Sequence, residues 1–288
     1  MLNRLPTLLF AFVMMMGRTV LAVDPLDGES LSLTDDKLGT MPYRLYKPQG
    51  YKADGPKLPL IVFLHGAGER GTDNTAQVVK YIGGLLNETA SGSHRAIVVA
   101  PQAAPESKWV DVDWGKGVYT DKTPISPNMQ LVMRILDKTI ADEAIDPSRV
   151  YVTGISMGGY GAWDAIARFP DRFAAAVPLS GGGNLESVDR IKARGIWAFH
   201  GDADGIVPVS GSDDMIKALR DAGAKNAVYS RVPRLGHEGW GGFYEPGRFK
   251  ADRESGASRG KTLYDWLFAQ RLPAKPAKSA AAAGATQQ

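Results

Sequence analysis

The segment Arg149-Val-Tyr-Val-Thr-Gly-Ile-Ser-Met-Gly-Gly-Tyr-Gly161 decides how the rest of the chain is read. Val150, Tyr151, Val152 and Thr153 are β-branched or aromatic, the composition of a short buried strand. Gly154-Ile155-Ser156-Met157-Gly158 follows at once and fits G-x-S-x-G, and Tyr160–Arg168 reads as a helix. Strand, tight turn and helix together form the context in which this pattern lifts a serine hydroxyl above a sheet edge. A side chain at Gly154 or Gly158 would crowd such a turn. The competing reading is a glycine-rich strand–helix connection with a helix-capping serine. A nucleophilic serine needs a base, an acid that orients the base, and an oxyanion hole.

Working outward, Leu60–Leu64, Ala96–Ala100, Ala174–Leu179, Gly195–His200 and Ala227–Val232 are apolar runs of strand length. Glu29–Leu33 and Met41–Lys47 alternate as more exposed strands do. Helical spacing falls at Thr75–Leu86, where Gly83-Gly84 weakens it, and at Asn128–Ala144, which Asp146-Pro147 ends. Asp213–Ala222 and Lys261–Gln270 are further helices. About eight strands with helices between the later ones predict an α/β fold with a mostly parallel sheet. Ligands in such sheets bind beyond the carboxyl ends of the strands. His65, Ser156, Asp204 and His237 all follow a predicted strand. Pro101–Pro127 is a long connection, and loops of that length are commonly functional.

The chain has 288 residues, enough for one large core, and its net charge is +3. Met1–Ala22 resembles a secretory signal peptide. Arg4 precedes the apolar Leu5–Met16, and Val20-Leu21-Ala22 suits cleavage after Ala22. Arg18 interrupts the apolar run and argues against a membrane-spanning helix, with an uncleaved anchor as the alternative. Export to the periplasm or beyond is expected. Without Arg4 and Arg18 the remaining 34 − 2 = 32 basic residues face 31 acidic ones, a balance that does not suggest a nucleic-acid partner. There is no cysteine, which excludes disulfides, thiolate metal sites and a cysteine nucleophile. Residues 23–272 form the expected catalytic domain, and the Ala-, Lys- and Pro-rich residues 273–288 a disordered tail.

Four histidines compete for the role of base. His237 is selected by its late position, on a loop flanked by Gly236 and Gly239. His65 and His200, each before a glycine at a strand end, are expected to bond loop backbone, and His94 to be exposed. The loop after Gly195–His200 carries Asp202 and Asp204, either of which could orient the imidazole. Oxyanion donors are expected from the N–H of Met157, next to the serine, and of Ala67 in His65-Gly-Ala-Gly68. That glycine-rich loop lacks the G-K-[ST] of a phosphate loop.

These motifs are similar to those of the α/β-hydrolase superfamily across roughly Met41–Arg271. The closer resemblance is to secreted esterases and "predicted peptidases", a group with feruloyl-esterase-like, polyhydroxybutyrate-depolymerase-like and phospholipase/carboxylesterase members. It rests on Phe63–Gly71, Ala100–Gln102, Thr153–Gly161, His200–Pro208 and Gly236–Trp240. The resemblance implies the α/β-hydrolase fold, a Ser156–His237–Asp204 triad and no cofactor. It favours Asp204 over Asp202 through the pattern His-Gly-x-x-Asp-x-x-Val-Pro. The implied activity is hydrolysis of soluble or polymer-attached carboxylic esters, such as polysaccharide or polyester esters. Leu179–Gly195 is too short for a lid domain, so an open site is expected. Trp240 is the preferred aromatic wall for substrate, with Trp109, Trp114, Tyr160 and Trp163 as further candidates. For Tyr160 and Trp163 a core role is favoured. A serine peptidase of prolyl-oligopeptidase type and a non-enzymatic exported binding protein are the rival readings. The polar Glu245–Gly260 departs from the resemblance.

Overall fold

The computed structural model describes residues 22–249 and 259–274. Residues 1–21 of the expected signal segment, the tail beyond residue 274 and most of Glu245–Gly260 lie outside them. Eight strands form one sheet in the order β1-β2-β4-β3-β5-β6-β7-β8. These are β1 (Glu29–Asp35), β2 (Gly39–Tyr46), β3 (Leu58–Leu64), β4 (Ile97–Pro101), β5 (Ile145–Ile155), β6 (Ala175–Leu179), β7 (Gly195–Gly201) and β8 (Ala227–Val232). β1 pairs with β2 and β2 with β4 antiparallel, while every pairing from β4 to β8 is parallel. The sheet is therefore mostly parallel, as the sequence predicts.

The apolar runs are buried on both faces because side chains alternate along a strand. Leu60, Val62 and Leu64 of β3 enter one core, with Val150 and Val152 of β5 and Ile196 of β7. Ile61, Phe63, Tyr151 and Trp197 enter the other. The first core is covered by α2 (Pro127–Asp142), α3 (Met157–Arg168), the short α4 (Val188–Ile191) and α5 (Ser210–Asp221). The second is covered by α1 (Gly83–Ala90) and α6 (Leu263–Phe268).

Two expectations shift. The helix predicted over Thr75–Leu86 begins only at Gly83. The preceding turns are held by the Asp73 carboxylate, which accepts from the N–H of Thr75 and Ala76. The buried Asn74 side chain donates to the carbonyls of Leu31 and Tyr43, which fixes this segment to β1 and β2 instead. Second, Asp146-Pro147 lies inside β5 rather than in a loop. Its proline is tolerated because the β3–β5 register shifts there, between Leu58–Ile145 and Leu60–Val150.

Candidate active site

The turn between β5 and α3 carries Ser156 at φ 58° and ψ −116°, a conformation that costs a non-glycine residue energy. Its neighbours make the turn possible. A Cβ at Gly158 would stand 1.9 Å from the Leu64 carbonyl oxygen, and one at Gly154 would stand 2.4 Å from that of Gly158. The Ser156 N–H donates to the Leu179 carbonyl at 2.9 Å, which fastens the turn to the end of β6. Met157 opens the helix, so its N–H has no intrahelical acceptor.

Three side chains from separate loops meet at this edge. His237 Nε2 lies 2.9 Å from Ser156 Oγ, and His237 Nδ1 lies 2.8 Å from Asp204 Oδ2. Because the ionised carboxylate only accepts, Nδ1 carries a proton and the neutral ring turns its Nε2 lone pair to the hydroxyl. The Asp204 side chain is fully buried. Burial alone would raise its pKa. Hydrogen bonds from His237 and from the N–H groups of Val207 and Ile206 outweigh that and hold it at about 2. Both N–H groups reach Oδ1 at 2.9 Å, which leaves Oδ2 for the imidazole. Asp202 instead faces away and accepts from the Arg234 N–H at 2.6 Å.

The loop after β3 lies directly against the serine, since a Cβ at Gly66 would be 3.9 Å from Ser156 Cβ. His65 organises it. The Ala103 N–H donates to His65 Nε2 at 3.0 Å, which places the ring proton on Nδ1, and Nδ1 donates to the Gly66 carbonyl at 2.6 Å. A trans peptide points its N–H opposite its carbonyl. Fixing the Gly66 oxygen therefore fixes the direction of the Ala67 N–H. Among the described residues no group accepts from the N–H of Ala67 or Met157. Two such donors beside one hydroxyl are the arrangement that stabilises a tetrahedral oxyanion. Burial pushes the His65 pKa down to about 4, so the ring is neutral at pH 7.

The aromatic wall is where the sequence reading needs correction. Trp240, Trp109 and Tyr160 are 2%, 0% and 1% exposed, so none of them lines an open cleft. Trp240 packs edge-on against Phe243 in the second core. Trp109 packs against His65 and donates to its carbonyl at 3.0 Å. Tyr160 spends its hydroxyl on the Trp114 carbonyl and Trp163 is fully buried, which agrees with the core role favoured for these two. Trp114 is the half-buried aromatic of the group. With Lys108, Val112, Asp113 and Ile206 it lines an open cleft of about 500 Å³. Ile206 is 61% exposed although its N–H is bonded to Asp204, so the cleft adjoins the acid. His94 is not simply exposed either. It is half-buried between Glu88 and Asp265, away from the serine on the α1–α6 face.

One constellation is only partly signalled in the sequence. Asp164 on α3 is buried and accepts from Tyr119 and Arg168, and Arg168 also donates to the Thr123 carbonyl. These bonds clip the long 101–127 connection to the helix that carries the serine. An i, i+4 Asp–Arg pair was visible, but not that its partners came from this loop.

A family model described as Phospholipase/Carboxylesterase matches residues 51–245. Poly(3-hydroxyalkanoate) depolymerase C of Paucimonas lemoignei is 28% identical over 193 residues, covering 62% of this chain and 41% of that protein. The bifunctional acetylxylan esterase/xylanase XynS20E of Neocallimastix patriciarum is 26% identical over 166 residues, covering 58% of this chain and 22% of that protein. The chain thus spans less than half the length of either relative. The crystal structure of a thermostable esterase superposes with a TM-score of 0.70 at 36% identity, over 85% of this chain and 64% of that one.

Proposed function

Because the chain belongs to the phospholipase/carboxylesterase family and has the α/β-hydrolase fold, we propose that it is a serine carboxylic-ester hydrolase with Ser156 as nucleophile, His237 as base and Asp204 as orienting acid. The observation that carries this reading is the unbroken relay from Asp204 Oδ2 through His237 to Ser156 Oγ, at 2.8 and 2.9 Å.

His237 Nε2 takes the Ser156 proton as Oγ attacks the ester carbonyl carbon. The carbonyl electron pair moves to oxygen, and the N–H groups of Met157 and Ala67 hold the resulting negative charge. Each such donor is worth roughly 3 kcal/mol in the transition state. Asp204 stabilises the imidazolium without taking its proton. The intermediate collapses, the C–O bond to the alcohol breaks, and His237 protonates the departing oxygen. Water then gives its proton to His237 and attacks the acyl-serine, and the returning proton frees Ser156.

The cleft bounded by Trp114 and Ile206 is the proposed seat of one side of the ester. It is open and mixes apolar with charged lining, which suits soluble esters or esters displayed on a polysaccharide or polyester chain. The relatives named for polyhydroxyalkanoate and acetylxylan support that range. Export after cleavage behind Ala22 belongs to the same proposal, and N-terminal sequencing of the mature protein tests it.

The enzymatic test compares wild type with Ser156→Ala on 4-nitrophenyl acetate. We expect turnover to drop by at least about 10³-fold, with an unchanged circular dichroism spectrum. Retained turnover would overturn the nucleophile assignment. Faster cleavage of an aminoacyl anilide than of the ester would favour a peptidase.

A further inference from the structure

The relay does not use His200, a histidine that is fully buried near the end of β7. Its ring sits behind the acid. Nε2 is 3.1 Å from the Val207 carbonyl oxygen and 3.6 Å from Asp204 Oδ2, the same oxygen that binds His237. The carbonyl only accepts, so Nε2 carries a proton, and its positive edge faces the carboxylate as well. At 3.6 Å this second contact is electrostatic rather than a hydrogen bond. On the other side of the ring, Nδ1 lies 2.8 Å from Ser212 Oγ on α5. Ser212 Oγ also lies 3.1 Å from the Gly181 carbonyl oxygen. Gly181 in turn packs backbone to backbone against Gly159 and Tyr160 of the nucleophile helix. Val207, whose carbonyl His200 holds, is the residue whose N–H donates to Asp204 Oδ1.

We propose that His200 is a positioning residue for Asp204. By holding the Val207 carbonyl it sets the 204–207 turn so that Oδ2 faces His237. Its Nε2–H favours the ionised carboxylate, and through Ser212 and Gly181 it ties the acid loop to the helix that carries Ser156. The proposal rests on the ester-hydrolase reading above. The ring is neutral in the resting state, since burial lowers its pKa. In that form Nδ1 only accepts, and the one Ser212 hydroxyl proton is shared between Nδ1 and the Gly181 carbonyl oxygen.

The titratable groups around the ring come from three elements. They are Asp204 and His237 on the two loops and Asp213 on α5. Loss of His200 loosens Asp204, which then stabilises the His237 imidazolium less. The acidic limb of kcat/KM moves to lower pH while kcat drops, because the imidazolium formed during the reaction is supported less.

The test uses His200→Leu, His200→Gln and His200→Asn, with active sites counted by fluorophosphonate labelling so that misfolded protein is excluded from kcat. Glutamine places an amide N–H near the position of Nε2, whereas asparagine reaches only the Nδ1 side. For 4-nitrophenyl acetate we expect His200→Leu to lose about tenfold in kcat with KM within twofold, a fraction of the roughly 10²–10⁴ that acid–base catalysis supplies. We expect His200→Gln to regain most of that loss and His200→Asn little of it. Ser212→Ala, a milder change, should move both kcat and the acidic limb in the same direction. Unchanged kcat per labelled site in His200→Leu and His200→Asn, with an unmoved acidic limb, would overturn the proposal. Absence of both labelling and ester turnover in the wild type would instead sink the hydrolase reading on which it depends.

Discussion

Asp204 and Asp202 stand two positions apart in one turn, yet their surroundings give them different work. Asp204 has one oxygen taken by two backbone N–H groups and the other by His237, while Asp202 holds a neighbouring loop through Arg234. An amide at position 204 keeps the shape but offers the imidazole the wrong partner or the wrong tautomer. Asp204→Asn is therefore expected to reduce kcat/KM on 4-nitrophenyl acetate by roughly 10³–10⁴-fold, and Asp202→Asn by less than about threefold. The reverse ranking would show that the acid is misassigned. Composition alone left these two aspartates equivalent, because both suit a turn, and only the family pattern separated them. The histidines were legible for a different reason. A late glycine-flanked loop leaves few roles for His237, whereas strand-end histidines such as His65 and His200 are committed to loop backbone. Trp240 and Trp109 do not line the cleft, because nearness in sequence to a reactive loop carries no information about burial. Trp240 follows His237 by three residues and still turns into the core.

At the scale of the element, the β5–α3 turn is the part that sequence described best, since its requirements are steric and local. Gly158 approaches the Leu64 carbonyl so closely that any side chain must displace β3 or the helix. Gly158→Ala is expected to destabilise the protein by more than about 4 kcal/mol, the range reserved for severe overpacking, and to be seen as insoluble protein or a large fall in Tm. A soluble variant with near wild-type Tm would mean that the turn is looser than its geometry implies. The segment before α1 was harder to read. Its helical pattern is outcompeted by Asp73 and Asn74, whose side chains bind backbone at Thr75, Ala76, Leu31 and Tyr43. Asn and Asp compete for backbone groups in this way wherever tertiary partners are in reach, and periodicity does not register partners 30 or more residues away. The 101–127 connection was opaque for the same reason, because its clip to Asp164 and Arg168 is a tertiary fact.

Across the whole molecule, the two apolar cores are written into continuous apolar strand runs with helices between the later ones, which is why strand number and a mostly parallel sheet are readable from the sequence. The same burial places two neutral histidines against loop backbone, and this makes the stability of the fold depend on pH in a defined direction. His65 is 1% exposed, and burial, reinforced by Arg70 and only partly opposed by the Gly66 carbonyl, lowers its pKa to about 4. Burial lowers that of His200 as well. In the unfolded chain both rings titrate near the ordinary histidine value of about 6.5. Between about 6.5 and 4 the unfolded chain therefore binds protons that the native protein does not, and the native state loses stability as pH falls. Above about 6.5 these groups contribute no slope. Asp204, held at about 2, belongs to a separate window, because its contribution is complete above the ordinary carboxylate range and lost only in stronger acid. For His65 the full shift corresponds to about 3 kcal/mol across its window. Urea unfolding at pH 7.0, 5.5 and 4.5 checks this in wild type and His65→Asn. The variant starts less stable, because asparagine reaches only the Nδ1 side, toward the Gly66 carbonyl, and the Ala103 N–H loses its partner. As pH falls the wild type alone pays the cost of keeping that ring unprotonated, so the gap between the two should narrow by about 2 kcal/mol at pH 4.5. A gap that stays constant from pH 7.0 to 4.5 would show that His65 takes up its proton in the folded protein as readily as in the unfolded chain.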